Sequence, residues 1–388
     1  MAVDKPTPSI LFLATEDTAF LRHRLPMAEG ARRAGFAVAV ASGDTGHGGE
    51  IAKHGFAALP WKIARKSLNP LREATAIGDL VRIFRRVTPT VVYAGGVKAI
   101  VYGAIARLFH RRATLIAAFT GLGYVFIGSD PKARILRFFI VAALRLLLRG
   151  GQARILVQNE DDREFLNDRL KIGTSARTVI IAGSGIDLDA YPVPPEETET
   201  QKERPVVALY VGRMLWDKGV GELIAAARIL AVRAPAVRVR LIGAPDPANP
   251  QSVAAGDLER WRDEGLIDWL GPRADIARQW ADADIAVLPS YREGLPKSLL
   301  EAGACARPSV TTDVAGCHDV VRDGVNGFLA PVRDVAALAD AIERLAADPA
   351  ARRRMGREAR AIVEARFAAP IIAAQFGDYI KTLVQSAA

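Results

Sequence analysis

The chain opens on an alternation of short apolar runs and longer amphipathic stretches. Ser9-Ile10-Leu11-Phe12-Leu13-Ala14 has the length of a buried strand, and helical spacing follows over residues 21–34, closed by Gly35. Further strand-length runs stand at 36–41, 57–60, 90–93, 114–119, 154–158 and 178–181, with helical patterns between most of them. Strands alternating with helices predict a mainly parallel sheet covered on both faces. Residues 192–205 read Pro-Val-Pro-Pro-Glu-Glu-Thr-Glu-Thr-Gln-Lys-Glu-Arg-Pro, which has almost nothing to bury. A linker is expected at 191–205. A second alternating series follows, with strands at 206–211, 237–242, 267–270, 285–288 and 309–311. The expectation is an α/β chain of two doubly wound domains in tandem, 1–190 and 206–370, with a terminal helical stretch in 371–388 crossing back onto the first.

Composition is compatible with this layout. A chain of 388 residues, half of them apolar, can bury two cores. Cys305 and Cys317 lack metal-ligand spacing and read as buried thiols of a reduced compartment, which excludes a small disulfide scaffold. No secretory signal is apparent at the amino end, so a cytoplasmic start is expected. The net charge of +9 is uneven: residues 1–175 carry 26 Lys+Arg and 14 Asp+Glu, a net of +12, and the remainder 26 and 29, a net of −3. The first half therefore faces the negative partner, whether nucleic acid, anionic lipid or a phosphorylated acceptor. Nucleic acid ranks last, because no recognisable module is present and the basic residues lack interleaved aromatics.

Residues 135–148, Ile-Leu-Arg-Phe-Phe-Ile-Val-Ala-Ala-Leu-Arg-Leu-Leu-Leu, are strongly apolar. They contain two arginines and fall short of the ~20 apolar residues that a spanning helix needs. Two readings stay open: a helix lying in an anionic interface, flanked by Lys132, Arg134 and Arg149, or a buried helix whose arginines reach to its rim.

Candidate chemistry concentrates in the second series. The run 285–288 ends in Pro289-Ser290 and leads through Arg292-Glu293-Gly294-Leu295-Pro296-Lys297-Ser298 to a helical pattern containing Glu301. Pro296 suits a first helical position. Backbone N–H groups at such a helix start, beside the carboxyl end of a strand, are where open α/β sheets bind phosphorylated ligands. Gly212-Arg213-Met214-Leu215-Trp216-Asp217-Lys218-Gly219 closes the series' first strand and brings two cations to the same edge. A solvated Arg, Lys or Glu would be unremarkable alone; the combination with glycines at strand ends points to a diphosphate site. Asp282-Ala283-Asp284 has the letters of a metal motif, but it sits in the run-up to a strand and reads as turn chemistry.

Several motifs of the chain resemble those of the retaining glycosyltransferases of GT-B fold, family four, also called group 1. They are Val211-Gly212-Arg213 with Lys218-Gly219, Gly183-Ser184-Gly185-Ile186-Asp187, the Glu293 to Glu301 spacing, and Thr312-Asp313-Val314-Ala315-Gly316-Cys317-His318 with Asp323-Gly324-Val325-Asn326-Gly327. The resemblance implies two Rossmann-like domains facing a central cleft and a hexosyl- or N-acetylhexosaminyltransferase. It implies that Arg213 and Lys218 hold the donor diphosphate, Glu301 the ribose and Glu293 the transferred sugar. Gly212, Gly294, Leu295, Pro296 and Lys297 complete the donor site, with no metal and no cofactor. A narrower likeness lies in Phe20-Leu21-Arg22-His23-Arg24-Leu25-Pro26, Thr120-Gly121-Leu122-Gly123-Tyr124-Val125-Phe126 and Val157-Gln158-Asn159-Glu160-Asp161-Asp162. These resemble members that extend undecaprenyl-diphosphate-linked sugars for surface polysaccharides, peripheral on the inner face of the cell membrane. Gly121-x-Gly123 lacks the third glycine of a dinucleotide fingerprint. The family's usual Gly-Gly after the first strand reads Thr15-Glu16-Asp17-Thr18 here, and its His after the 114–119 run reads Thr120-Gly121. Asp17, His23, Thr120 and Gly121 are the acceptor-side candidates. The competing expectations are a UDP-sugar epimerase of the same fold and a non-catalytic protein that binds anionic lipid.

Overall fold

The structure, a computed structural model, describes residues 7–64, 67, 69–121, 126, 131–149, 151–195, 204–247 and 249–386. Two compact units divide the chain: Met1–Gly185 with Ala369–Ala388, and Ile186–Ala368. The division falls ahead of the stretch expected as a linker, of which 196–203 lie outside the described residues.

The first unit is built on a parallel sheet of β1 (Ser9–Ala14), β2 (Ala37–Ser42), β3 (Ala57–Pro60), β4 (Val91–Gly95), β5 (Thr114–Ala118), β6 (Ala153–Val157) and β7 (Thr178–Ile180), in the order β3-β2-β1-β4-β5-β6-β7. Leu11 pairs with Ala39 on one side and Val92 on the other. Alternation along β1 sends Leu11 and Leu13 into a core with Leu80, Phe84 and Leu115, and Ile10 and Phe12 into a second core with Ile372, Phe376 and Ile380. Both faces are therefore covered, which is why the central strands β1 and β4 are almost wholly apolar. The second core is closed by the helix Ala369–Gln385, which packs on the helix Leu25–Arg33. A Cβ at Gly30 would stand 2.1 Å from the Ala373 carbonyl oxygen, so the two backbones meet where only glycine fits.

The single helix expected over 21–34 is two, Asp17–His23 and Leu25–Arg33, parted at Arg24 (φ −130°, ψ −10°). Pro26 has no N–H to donate to the preceding turn and disfavours helical geometry at the residue before it. The apolar segment at 135–148 lies in the helix Pro131–Leu147, and it is both buried and exposed. Val141, Leu144 and Leu148 enter the core, whereas Ile135, Phe138, Phe139 and Leu146 stand out at 62%, 70%, 64% and 68% exposure. Among the described residues no helix is long and apolar enough to cross a membrane.

The second unit repeats the plan with β8 (Val206–Val211), β9 (Val237–Ile242), β10 (Asp268–Trp269), β11 (Ile285–Leu288), β12 (Ser309–Thr312) and β13 (Gly327–Ala330), all parallel, in the order β10-β9-β8-β11-β12-β13. β13 is absent from the sequence expectation, because four residues opening on glycine carry no strand pattern. Glycine is demanded there: a Cβ at Gly327 would stand 2.0 Å from the Ser309 carbonyl oxygen. Asp284 is buried and takes Arg204 through two hydrogen bonds, 2.7 and 2.9 Å, and the Val207 N–H at 2.7 Å. Its carboxylate clamps β8 to β11 at their amino ends, an interstrand ion pair where a turn was expected.

Candidate active site

In the second unit the strand order reverses between β8 and β11. The loops leaving the carboxyl ends of adjacent strands at such a point part to opposite faces, and the crevice between them admits ligand. Here one loop holds Gly212 to Gly219 and the other Pro289 to Lys297. Gly219 (φ +73°) joins them, since a Cβ there would stand 2.0 Å from the Pro289 carbonyl oxygen. The Tyr291 N–H donates to the Asp217 carbonyl at 3.0 Å and the Ser290 hydroxyl to the same oxygen at 3.4 Å. A third loop, after β12, supports the second. Thr311 donates to the Leu288 carbonyl at 2.6 Å, the Thr312 hydroxyl to Ser290, and the Glu293 N–H to Ala315 at 3.2 Å. Gly316 (φ +79°) leaves 2.6 Å between its missing Cβ and the Gly294 carbonyl oxygen.

These contacts hold Lys218 against Glu293, Nζ to Oε1 at 2.6 Å, with both side chains mostly buried. Arg213, expected beside Lys218, turns instead to Asp246 at 3.2 Å and remains half exposed. Asp217 stands between the two cations. Burial pushes its carboxyl up, Lys218 and Arg213 oppose that, and Glu293 adds to it. Its Oδ1 is buried with no hydrogen-bond partner. The expectation assigned Asp217 no role, although it lies inside the Arg213 to Lys218 motif. The Tyr210 hydroxyl, also driven up by burial, donates to the Arg213 carbonyl at 2.7 Å and fixes the turn at Gly212.

Pro296 proves to be the residue before the helix, not its first: the helix runs Lys297–Ala304, and Pro296 (φ −73°, ψ 112°) caps it without a side-chain acceptor. The extended ψ places the proline one step outside, and it supplies no side-chain cap to the first turn. Leu295 is half buried and Pro296 buried between the Glu293 loop and this helix. Glu301 lies within the helix, buried, with the Trp280 indole N–H at 3.3 Å from Oε2 and Lys297 Nζ at 3.9 Å from Oε1. The helix start, the cation at Lys218 and two carboxylates are thus assembled on one edge. Such an arrangement can receive a phosphorylated ligand and stabilise charge that grows on a departing phosphate. His318 pairs with Asp313 at 2.8 Å. Cys317 and Cys305 are buried free thiols, and burial pushes the first up to about 12 and the second up to about 11.

The acceptor-side candidates all belong to the first unit. Asp17 is buried after β1 and accepts from the backbone N–H groups of Thr18 (2.7 Å), Thr45 (2.9 Å) and His47 (2.9 Å), and from the Thr45 hydroxyl. Burial pushes its carboxyl up, but these hydrogen bonds outweigh it and hold the group below its usual value. Its oxygens organise the loop after β2. His23 is half buried and its carbonyl accepts from Arg24 at 2.7 Å. Thr120 accepts from Arg24 Nη2 at 2.8 Å, and Gly121 (φ +132°) follows it on the surface. Arg24 itself was not among the expected site residues.

Comparison with solved structures supports the architecture. Anabaena HepE, solved in complex with UDP-glucose, superposes with a TM-score of 0.73 at 22% identity, covering 96% of this chain and 99% of that one. The class is that of glycosyltransferases with the two-domain GT-B fold. A family model for glycosyl transferase 4-like domains matches residues 9–159, and one for glycosyl transferases group 1 matches residues 205–348. The chain is thus a glycosyltransferase with a 4-like match in its first unit and a group 1 match in its second. Among curated relatives, the N,N'-diacetylbacillosaminyl-diphospho-undecaprenol alpha-1,3-N-acetylgalactosaminyltransferase of Campylobacter jejuni is 28% identical over 315 residues, covering 79% of this chain and 80% of that protein. The capsular polysaccharide biosynthesis glycosyltransferase CapM of Staphylococcus aureus is 25% identical over 299 residues, covering 76% and 77%.

Proposed function

We propose that the enzyme moves a hexosyl or N-acetylhexosaminyl group from a UDP-sugar to a saccharide carried on a lipid diphosphate of undecaprenyl type, with retention at the anomeric carbon, in surface glycan synthesis. The observation that carries this reading is the Lys218–Glu293 pair at 2.6 Å beside the open start of the helix Lys297–Ala304, at the point where the sheet order reverses. The relatives' names supply the acceptor class, and the UDP-glucose complex of HepE supports the donor.

In this reading Lys218 leaves Glu293 for the donor diphosphate and Arg213 leaves Asp246 to join it, while the helix start adds its dipole. Glu293 is then free to accept from hydroxyls of the transferred sugar, and Glu301 from those of the ribose. The bond between the anomeric carbon and the phosphate oxygen breaks, and the acceptor hydroxyl bonds to the same face of that carbon. Its proton passes to a departing phosphate oxygen. Two cations and a helix dipole carry the charge that a metal carries elsewhere, so neither metal nor cofactor enters the reaction.

The outward face of the helix Pro131–Leu147 supplies the membrane anchor in the same reading. Phe138 and Phe139 are largely exposed within a basic half of the chain that includes Arg107, Arg111, Arg112, Arg134 and Arg149. Apolar rings with flanking arginines fit an anionic interface, and in this reading the enzyme works from the cytoplasmic face of the membrane, where nucleotide sugars are made.

The test is a panel of UDP- and GDP-sugars presented with lipid-diphosphate acceptors, with and without EDTA, and anomeric analysis of the product. An α-product from an α-donor without added metal is expected. An inverted product, activity abolished by EDTA, or interconversion of the donor alone would overturn the reading. For the anchor, Phe138→Ser with Phe139→Ser should abolish flotation with phosphatidylglycerol vesicles, and undiminished flotation refutes it.

A further inference from the structure

The first unit has its own reversal of strand order, between β1 and β4, and Arg24 sits over it. Its guanidinium carbon lies 5.5 Å from the centre of the Tyr93 ring on β4, and Nη2 donates to Thr120 Oγ1, beyond β5, at 2.8 Å. Nε and Nη2 lie 3.4 and 3.5 Å from the place where a Cβ on Gly95 would stand. Arg24 is half buried and, among the described residues, has no carboxylate partner.

Three further features meet at the same place. Gly96 (φ +86°) opens the helix Val97–Leu108 without a side-chain cap, and the space beside its Cα is open. The Tyr93 side chain is fully buried, its hydroxyl has no hydrogen-bond partner, and the Cε1 edge beside that hydroxyl lies 3.5 Å from the same Gly95 position. Lys98, in the first turn of the helix, is already spent on Glu73 at 2.8 Å and on the Ala64 and Ser67 carbonyls. Among the described residues, Arg24 is therefore a cation available to an anion at this helix start.

We propose that Arg24, held in aim by Thr120 and backed by Tyr93 and the start of the helix Val97–Leu108, binds a phosphate of the lipid diphosphate that carries the acceptor saccharide. This deepens the proposed function and rests on its acceptor class. A guanidinium presents paired N–H groups to phosphate, and a helix start adds backbone donors at the same point. The break between the helices Asp17–His23 and Leu25–Arg33 is what turns Arg24 out of a helical face toward β4. A recognition site for the diphosphate separates acceptor selection from the chemistry, since the saccharide hydroxyl that reacts lies further along the molecule.

The experiment compares a short-prenyl diphosphate saccharide with the same saccharide as a phosphate-free glycoside, under saturating donor. In the wild type the diphosphate acceptor should be preferred by kcat/KM, and Arg24→Ala should cut that preference 10- to 100-fold, chiefly through KM. Arg24→Lys should recover part of it, and Thr120→Val should weaken it while retaining the charge. Protection by UDP against thermal unfolding checks that each variant is folded. A preference ratio unchanged in Arg24→Ala overturns the proposal. Failure of the wild type to use any lipid-diphosphate acceptor while UDP still protects it would instead sink the proposed function.

Discussion

Lys218→Met retains most of the apolar stem of the side chain and deletes the cation that faces Glu293. The pair is 2.6 Å long, and the two side chains are 22% and 13% exposed, which puts it between a surface bridge and a buried one. Two unit charges ~4 Å apart attract by about 4 kcal/mol at an effective dielectric of 20, and desolvation cancels most of that. Removing one partner should therefore cost about 1–3 kcal/mol, more than an exposed pair and less than a fully buried one. The loss is enlarged by Asp217, whose half-buried carboxyl then has one cation fewer opposing its burial. For a unit the size of Ile186–Ala368, each kcal/mol corresponds to about 2–4 °C in Tm. Calorimetry should then show the melting of this unit lowered by about 2–12 °C at neutral pH. Adding Glu293→Gln removes the stranded charge, so the double variant should melt above Lys218→Met alone. Activity should not follow stability: loss of one cation at the leaving group predicts kcat/KM down about 10²- to 10³-fold in both the single and the double variant. A double variant that melts below either single, or a Lys218→Met enzyme that retains full transfer, would refute the reasoning.

Glu301→Ala should abolish transfer, at least about 100-fold in kcat/KM, while circular dichroism shows the fold retained; the stranded Trp280 N–H predicts a stability loss of about 1–3 kcal/mol. Gly219→Ala combines a positive φ with a contact at 2.0 Å to the Pro289 carbonyl oxygen, and should destabilise the second unit by about 2–4 kcal/mol in urea titration. Asp17 has a folded pKa below its ordinary 3.8, so its stabilisation is present above that value and lost as pH falls through the lower folded one. Asp17→Asn should accordingly weaken the first unit at pH 7, and the gap from wild type should close as a pH series of urea melts descends below about 3.8. A gap independent of pH would show that the loop is held by something other than the carboxylate's charge.

Two doubly wound units could be read from the sequence because strand-length runs, most of them largely apolar, alternate with helical patterns, and among the described residues twelve of the thirteen strands fall on such runs. The exception, β13, is four residues opened by a glycine that its neighbour's backbone requires. Most of the candidate donor site was legible for a related reason: Gly212, Lys218, Glu293 and Glu301 lie in two continuous segments at strand ends, where local order alone brings side chains to one edge. What the sequence did not determine is pairing. Arg213 and Lys218 carry the same charge in the same loop, yet one turns to Asp246 and the other to Glu293, because Asp246 and Glu293 arrive on separate elements. Arg24 stayed hidden for the same cause. Its partners Tyr93 and Thr120 are 69 and 96 residues away, and only the parallel pairing of β1, β4 and β5 brings them beneath it. The helix Pro131–Leu147 is the third case. Its composition allowed burial or an interface, and packing decided that one helix does both, since a sheet can cover only one side of it.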